Sequence, residues 1–163
     1  MGFTVCNSLT GSRQFATAFI HPRIIMIKSE LIHPELLCSL AKCGHKTQVL
    51  IADSNYSVIT NAPRQATVIY LNLTPGVIPA TLILEKVLTS INVEKAVLMA
   101  YPSDFINTIE SEYRQILPEN CPIEYLPRQD FYNQVKSDQT LLVIASGEQR
   151  RFGNLLLTIA PVF

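Results

Sequence analysis

The sequence predicts an α/β fold, a single domain built on a mainly parallel sheet covered by helices. Three observations predict it. Short, near-continuous apolar runs alternate along the chain with segments whose apolar residues recur at helical spacing. The 163 residues suffice for one domain with a sizeable core. Apolar residues make up 48% and charged residues 16%, a globular balance rather than a disordered one.

The elements follow in order. Ser29 or His33 can cap a helix over Pro34–Lys42, where proline is tolerated in the first turn and Leu36, Leu37, Leu40 and Ala41 share one face. Gly44 suits that helix's C-terminus because glycine enters the left-handed conformation at little steric cost. Val49–Ala52 reads as a buried strand that delivers Asp53 at its carboxyl end, and Asp53–Arg64 reads as loop. Ala66–Leu71 is a second strand, Pro75–Gly76 a turn, and Leu82–Leu88 a helix. Ala96–Ala100 is a strand, and a helix is expected from Pro102–Asp104 to about Leu117. Ile123–Leu126 (strand), Arg128–Lys136 (helix), Leu141–Ala145 (strand), a polar Gly147–Gly153 loop and Leu155–Ile159 (strand) complete the chain.

Composition excludes several classes of function. Lys plus Arg (13) equals Asp plus Glu (13), so no net charge steers the chain toward nucleic acid or an anionic membrane. No apolar run is long enough to span a bilayer. The four cysteines form no CxxC pair, and the chain reads as a cytoplasmic protein with free thiols. A neutral chain with positive mean hydropathy is suggestive of an oligomer interface.

Residues 1–25 differ from the rest and form an N-terminal extension ahead of a domain at 26–163. They fit an amphipathic targeting peptide, with Arg13 and Arg23 and no acidic residue before Glu30. The favoured readings are a flexible tail or an over-long start, because Met26 can itself open the domain.

The stretch AKCGHKTQVLIADSNY carries the functional signal. His45 follows the helix-ending glycine and Asp53 follows the strand, and ligands of open α/β sheets bind outside strand carboxyl ends, so the two are expected to share a site. On spacing alone, a histidine in the place of His45 is more often a helix C-terminal cap than a catalyst, and Asp53 is equally a turn-forming residue. No Gly-rich phosphate loop, GxSxG or HExxH is present, and Cys38, Cys43 and His45 match no zinc spacing, so no metal site is expected. A Cys43–His45 nucleophile pair is disfavoured because alternate turn residues point apart, which leaves Cys43 as a small apolar filler.

With PELLCSLAKCGHKTQVLIADSNY and GEQRRFGNLLL in hand, the chain from Met26 to Phe163 resembles the D-ribose pyranase and L-fucose mutarotase family. The shared marks are GH after the first helix, AD at the end of the first strand, and GE followed by aromatic-G-N before the last strand. IESEYRQIL and PRQDFYNQVK place it nearer the fucose branch. The resemblance implies anomer or ring-form interconversion of an unphosphorylated monosaccharide without a cofactor. His45 would be the acid/base, suited by its near-neutral titration. Asp53, Arg128 and Asn154 would bind sugar hydroxyls, Arg128 through its fork of donors. The resemblance also implies a homo-oligomer, up to a decameric ring, with the site completed across a subunit interface. Glu148 of the GE pair reads as structural.

One residue departs from the family pattern. Phe152 stands where the family commonly has tyrosine. Losing a donor to developing charge costs roughly 3–4 kcal/mol, on the order of 10²–10³ in rate. Two alternatives follow, a slowed mutarotase or a non-catalytic sugar-binding protein in which Phe152 stacks on the ring.

Overall fold

The computed structural model describes residues 28–162; the extension expected at residues 1–25 lies outside the described residues. Five helices and six strands alternate: α1 (Pro34–Lys42), β1 (Gln48–Ala52), α2 (Val58–Asn61), β2 (Thr67–Tyr70), α3 (Ala80–Leu88), β3 (Val93–Met99), α4 (Thr108–Ile116), β4 (Ile123–Leu126), α5 (Arg128–Val135), β5 (Thr140–Ala145) and β6 (Leu155–Ile159). The strands make one sheet in the order β2-β5-β1-β6-β3-β4. β1–β5, β2–β5 and β3–β4 pair in parallel, whereas β6 runs antiparallel to both β1 and β3. The mainly parallel, helix-covered sheet of the sequence reading is therefore present, with one reversed strand set into its middle.

Strand periodicity sorts the core into two layers. Val49, Ile51, Ile69, Ala96, Leu98, Leu142, Ile144, Leu155 and Leu157 face one way, packed under α1, α3 and α4. Leu50, Ala52, Val97, Met99, Val143, Ala145 and Leu156 face the other, against Tyr56, Val58, Phe131, Val135 and Phe152. Every residue of β1 and β6 is buried, which explains why both read as unbroken apolar runs.

Local details correct the sequence reading at three places. Asp53–Arg64 is not all loop, because Val58–Asn61 closes one short helix that buries Val58. The helix expected from Pro102 starts only at Thr108, since Pro102–Phe105 forms a turn, with the Phe105 N–H donating to the Pro102 carbonyl at 3.0 Å. Gly44 does not supply the left-handed residue after α1. Cys43 caps the helix in extended geometry, and Lys46 takes the positive φ of 69°. His33 is the N-cap, its Nδ1 accepting from the Leu36 N–H at 3.2 Å. Cys43 fills the helix end, its thiol donating to the Ser39 carbonyl.

The topology decides where a site can form. Five parallel strands end on one side of the sheet, and the reversed β6 begins there. The segments after β1, β3, β4 and β5 and the segment before β6 all converge on that rim.

Candidate functional site

A cleft of about 270 Å³ opens on this rim, lined by Asp53, Asn55, Tyr56, Met99, Arg128, Tyr132, Arg151, Phe152 and Asn154. Each wall has a simple origin. Asp53 is the first residue past β1, and Arg128 is the first residue of α5, set by β4 and Pro127. Tyr132 lies one turn further along α5, on the same face as Arg128. Phe152 and Asn154 lead into β6.

Asp53 is buried and internally bonded. Its Oδ1 accepts from the Asn55 N–H at 3.0 Å, and its Oδ2 accepts from the Gly153 N–H at 3.2 Å and the Asn154 amide at 2.8 Å. In return, the Asp53 N–H donates to Asn154 Oδ1 at 3.0 Å. This reciprocal pair ties the end of β1 to the start of β6. Burial pushes the Asp53 carboxyl above its ordinary value, with the Glu148 charge adding to the rise and the backbone N–H groups opposing it.

The loop that carries Phe152 is pinned at several points. Glu148 is buried and its carboxylate accepts from the Arg150 N–H and the Arg150 guanidinium, which also pairs with Glu112. Burial would raise the Glu148 carboxyl, but the Arg150 bonds and charge outweigh it and hold it below its usual value. The Glu148 carbonyl accepts from the Ser54 N–H and hydroxyl, at 2.8 and 2.6 Å. Tyr113, fully buried, donates from its hydroxyl to the Gly153 carbonyl at 2.6 Å. Gly147 is required by close approach, since a Cβ there would stand 1.9 Å from the Val77 carbonyl oxygen. Held from both ends, Phe152 takes a φ of 60°, a rare left-handed value for an aromatic residue. Its ring packs edge-on to Phe105, with centroids 4.9 Å apart, and is tilted against Tyr101.

Of the five site residues expected from the sequence, the structure thus brings four together: Asp53, Arg128, Phe152 and Asn154. His45 is not among them. It precedes β1 whereas Asp53 follows it, and at about 3.3 Å per residue that strand alone is roughly 16 Å long. The expectation that His45 and Asp53 meet within one chain is corrected here, because only residues after a parallel strand reach its carboxyl end. At the opposite rim, half-exposed His45 makes a 3.1 Å contact from Nε2 to Glu94, which also takes the Lys46 ammonium.

The sequence reading missed Tyr56, Tyr132 and Arg151. Four-residue spacing from Arg128 marks Tyr132, and adjacency to Phe152 marks Arg151, once the loop is known to bend back over the cleft. Tyr56 is no ready proton donor. Its hydroxyl donates to the Asn61 carbonyl at 3.2 Å, and burial, with the Tyr132 and Asp53 charges, raises its pKa strongly. Among the described residues no group of three or more His, Cys, Asp or Glu side chains is arranged to hold a metal ion, and no helix is long and apolar enough to cross a membrane.

Known proteins resemble this chain in sequence and in fold. The model of the RbsD / FucU transport protein family matches residues 26–162. Human fucose mutarotase is 31% identical over 137 residues, covering 78% of this chain and 87% of the relative. The D-ribose pyranase of Geobacillus kaustophilus is 27% identical over 132 residues, covering 81% and 92%. Bacillus subtilis RbsD, solved as a complex with D-ribose, superposes with a TM-score of 0.74 at 24% identity, over 85% of this chain and all of that one, which speaks for the fold. Its relatives are isomerase-type enzymes acting on sugars, mutarotases and pyranases. With a family model matching residues 26–162 and a relative 31% identical over 78% of its length, the chain belongs to the RbsD / FucU family.

Proposed function

We propose that this protein interconverts the anomers, or ring forms, of an unphosphorylated monosaccharide of the fucose type, in the reducing cytoplasm and without a cofactor. The observation that carries the reading is the convergence of Asp53, Arg128, Phe152 and Asn154 on one cleft of about 270 Å³, a volume that suits a single sugar ring. Arg128 and the free valences of the Asp53–Asn154 pair bind hydroxyls. Phe152 covers the apolar face of the ring.

Ring opening needs a proton delivered to the ring oxygen and one removed from the anomeric hydroxyl. His45 is the acid/base in this reading. Since it lies at the far rim of its own sheet, it serves the cleft of a neighbouring copy, and the working form is a homo-oligomer. The Phe152 ring supports a second reading, a sugar-binding protein without turnover, because the hydroxyl that a tyrosine would offer is missing.

Exchange NMR on the anomeric protons of fucose, ribose and galactose tests both. Wild type is expected to accelerate exchange, and His45→Ala to abolish it while still binding sugar. Mixing His45→Ala with Asp53→Asn subunits is expected to recover part of the rate, because some sites then combine two intact halves. Binding without exchange, together with a rate gained by Phe152→Tyr, would instead select the second reading.

A further inference from the structure

We propose that the sugar taken by this cleft carries an acidic group, with Arg151 and Arg128 as the pair that recognises it; among unphosphorylated sugars this is the hexuronate class. The inference rests on the sugar-site reading above and replaces its neutral fucose-type ring with one that carries a carboxylate.

Three arginines stand around the loop before β6, and they differ in how their charge is spent. Arg150 is neutralised by Glu148 and Glu112 and faces away from the cleft lining. Arg151 and Arg128 line the cleft, and among the described residues neither has a carboxylate within salt-bridge distance. They flank the same ring. The Arg151 guanidinium lies 5.5 Å from the centroid of Phe152 and 5.5 Å from that of Phe105, and the Arg128 guanidinium lies 6.0 Å from Phe152. Stacking on aromatic rings holds a guanidinium plane in place while leaving its edge N–H groups free.

Asp53 is the one carboxylate in the lining. Its oxygens already accept three N–H groups from Asn55, Gly153 and Asn154, so its charge is held inside the loop junction. The cleft therefore offers two uncommitted cations against one committed anion. A neutral sugar has hydroxyls for one guanidinium fork but nothing that matches two. A pyranose whose exocyclic carbon is a carboxylate places ring hydroxyls toward the Asp53–Asn154 pair and its anion between the two arginines. A phosphate ester offers the same chemistry, and the experiment separates the two sources.

Binding of D-galacturonate and D-glucuronate, of glucose 6-phosphate, and of L-fucose and D-galactose is measured by calorimetry on the assembled protein, alongside anomer exchange. An acidic sugar is expected to bind roughly 10–100-fold tighter than its neutral counterpart, the range set by charge-assisted hydrogen bonds. That preference should shrink with added salt. Arg151→Ala is expected to remove most of it while changing neutral-sugar affinity by less than about 3-fold, and Arg151→Lys to restore part, as a charge without the fork. Arg151 is exposed, so these variants keep the fold. Preference for the uronates supports the inference; preference for glucose 6-phosphate assigns a phosphate ester and overturns the hexuronate assignment. Equal affinity for acidic and neutral sugars, or a preference untouched by Arg151→Ala, overturns it. Fast exchange of fucose with no preference for acids sinks this inference and leaves the mutarotase reading standing. Tight acid binding without any exchange does the reverse.

Discussion

Asp53 and Asn154 form the smallest unit on which the rim depends. Each satisfies a group of the other that is otherwise buried, the backbone N–H of Asp53 on one side and the side-chain amide of Asn154 on the other. Asn154→Ala leaves that N–H and one carboxylate oxygen short of a partner, and an unsatisfied buried group costs about 1–3 kcal/mol. The expected result in urea denaturation is an unfolding free energy lowered by that amount, read as an earlier midpoint at an unchanged m-value. A midpoint equal to wild type would show that water replaces the amide at no cost. The pair was half legible in the sequence. Both residues stood out through the family pattern as sugar ligands, but nothing in the letters said that they bind each other across 101 positions. Contacts of that span come from strand order, which composition and spacing do not encode. The placement of His45 beside Asp53 was misread for a related reason. Nearness in sequence to Asp53 suggested nearness in space, yet the intervening residues form a strand, the most extended way to separate two ends.

The loop from Gly147 to Asn154 is the element that shapes the cleft, and Glu148 is its anchor. Because the Glu148 carboxyl is held below its ordinary value of 4.5 in the folded state, its contribution to stability is fully present above that value. That contribution is lost as the pH falls through the lower, folded value. Wild-type stability should therefore decline on acidification below about 4.5. Glu148→Gln should start about 1–3 kcal/mol lower at neutral pH and show a shallower acid slope. Parallel slopes for the two proteins would remove Glu148 from this role. Asp53 works in the opposite sense. Its raised carboxyl favours the folded state at low pH, and that share fades as the pH rises through its folded value. Elements of this size were read well where apolar periodicity was strong, as in α1, β4 and β6, whose bounds match the expectation. α2 escaped because four residues with one buried valine carry no period. The start of α4 was misplaced because Pro102 resembles a helix opener. Phe105 instead turns its ring toward Tyr101 and Phe152.

At the scale of the molecule, the rim is lined by apolar side chains with no cover in the single chain. Ile59 is 87% and Tyr70 57% exposed, and both border a second concavity of about 260 Å³ that shares Asp53 and Tyr56 with the sugar cleft. Exposed apolar side chains gathered beside a site are suited to contact between subunits. Ile59→Glu is expected to shift sedimentation velocity profiles toward smaller species and to lower anomer exchange with them. The fold of the subunit should be nearly unaffected, within about 0.5 kcal/mol, as for other surface changes. Unchanged sedimentation would place the interface elsewhere. The sequence carried this feature only as an excess of apolar residues, since an average cannot say which of them remain outside.

The position of β6 has a consequence in time. Of the described strands, the two synthesised last are inner ones: β5 enters between β2 and β1, and β6 between β1 and β3. While the nascent chain has passed only Leu126, β3 and β4 are the single pair with both members present, and β1 and β2 have no neighbour in the finished order. Closure of the sheet must wait for β5 and β6, and until then apolar strands with open edges await a mate that has not been made. A message cut short before Leu155 yields neither a closed sheet nor a cleft. For this chain, the codons of β6 decide between a closed sheet and a substrate for chaperones.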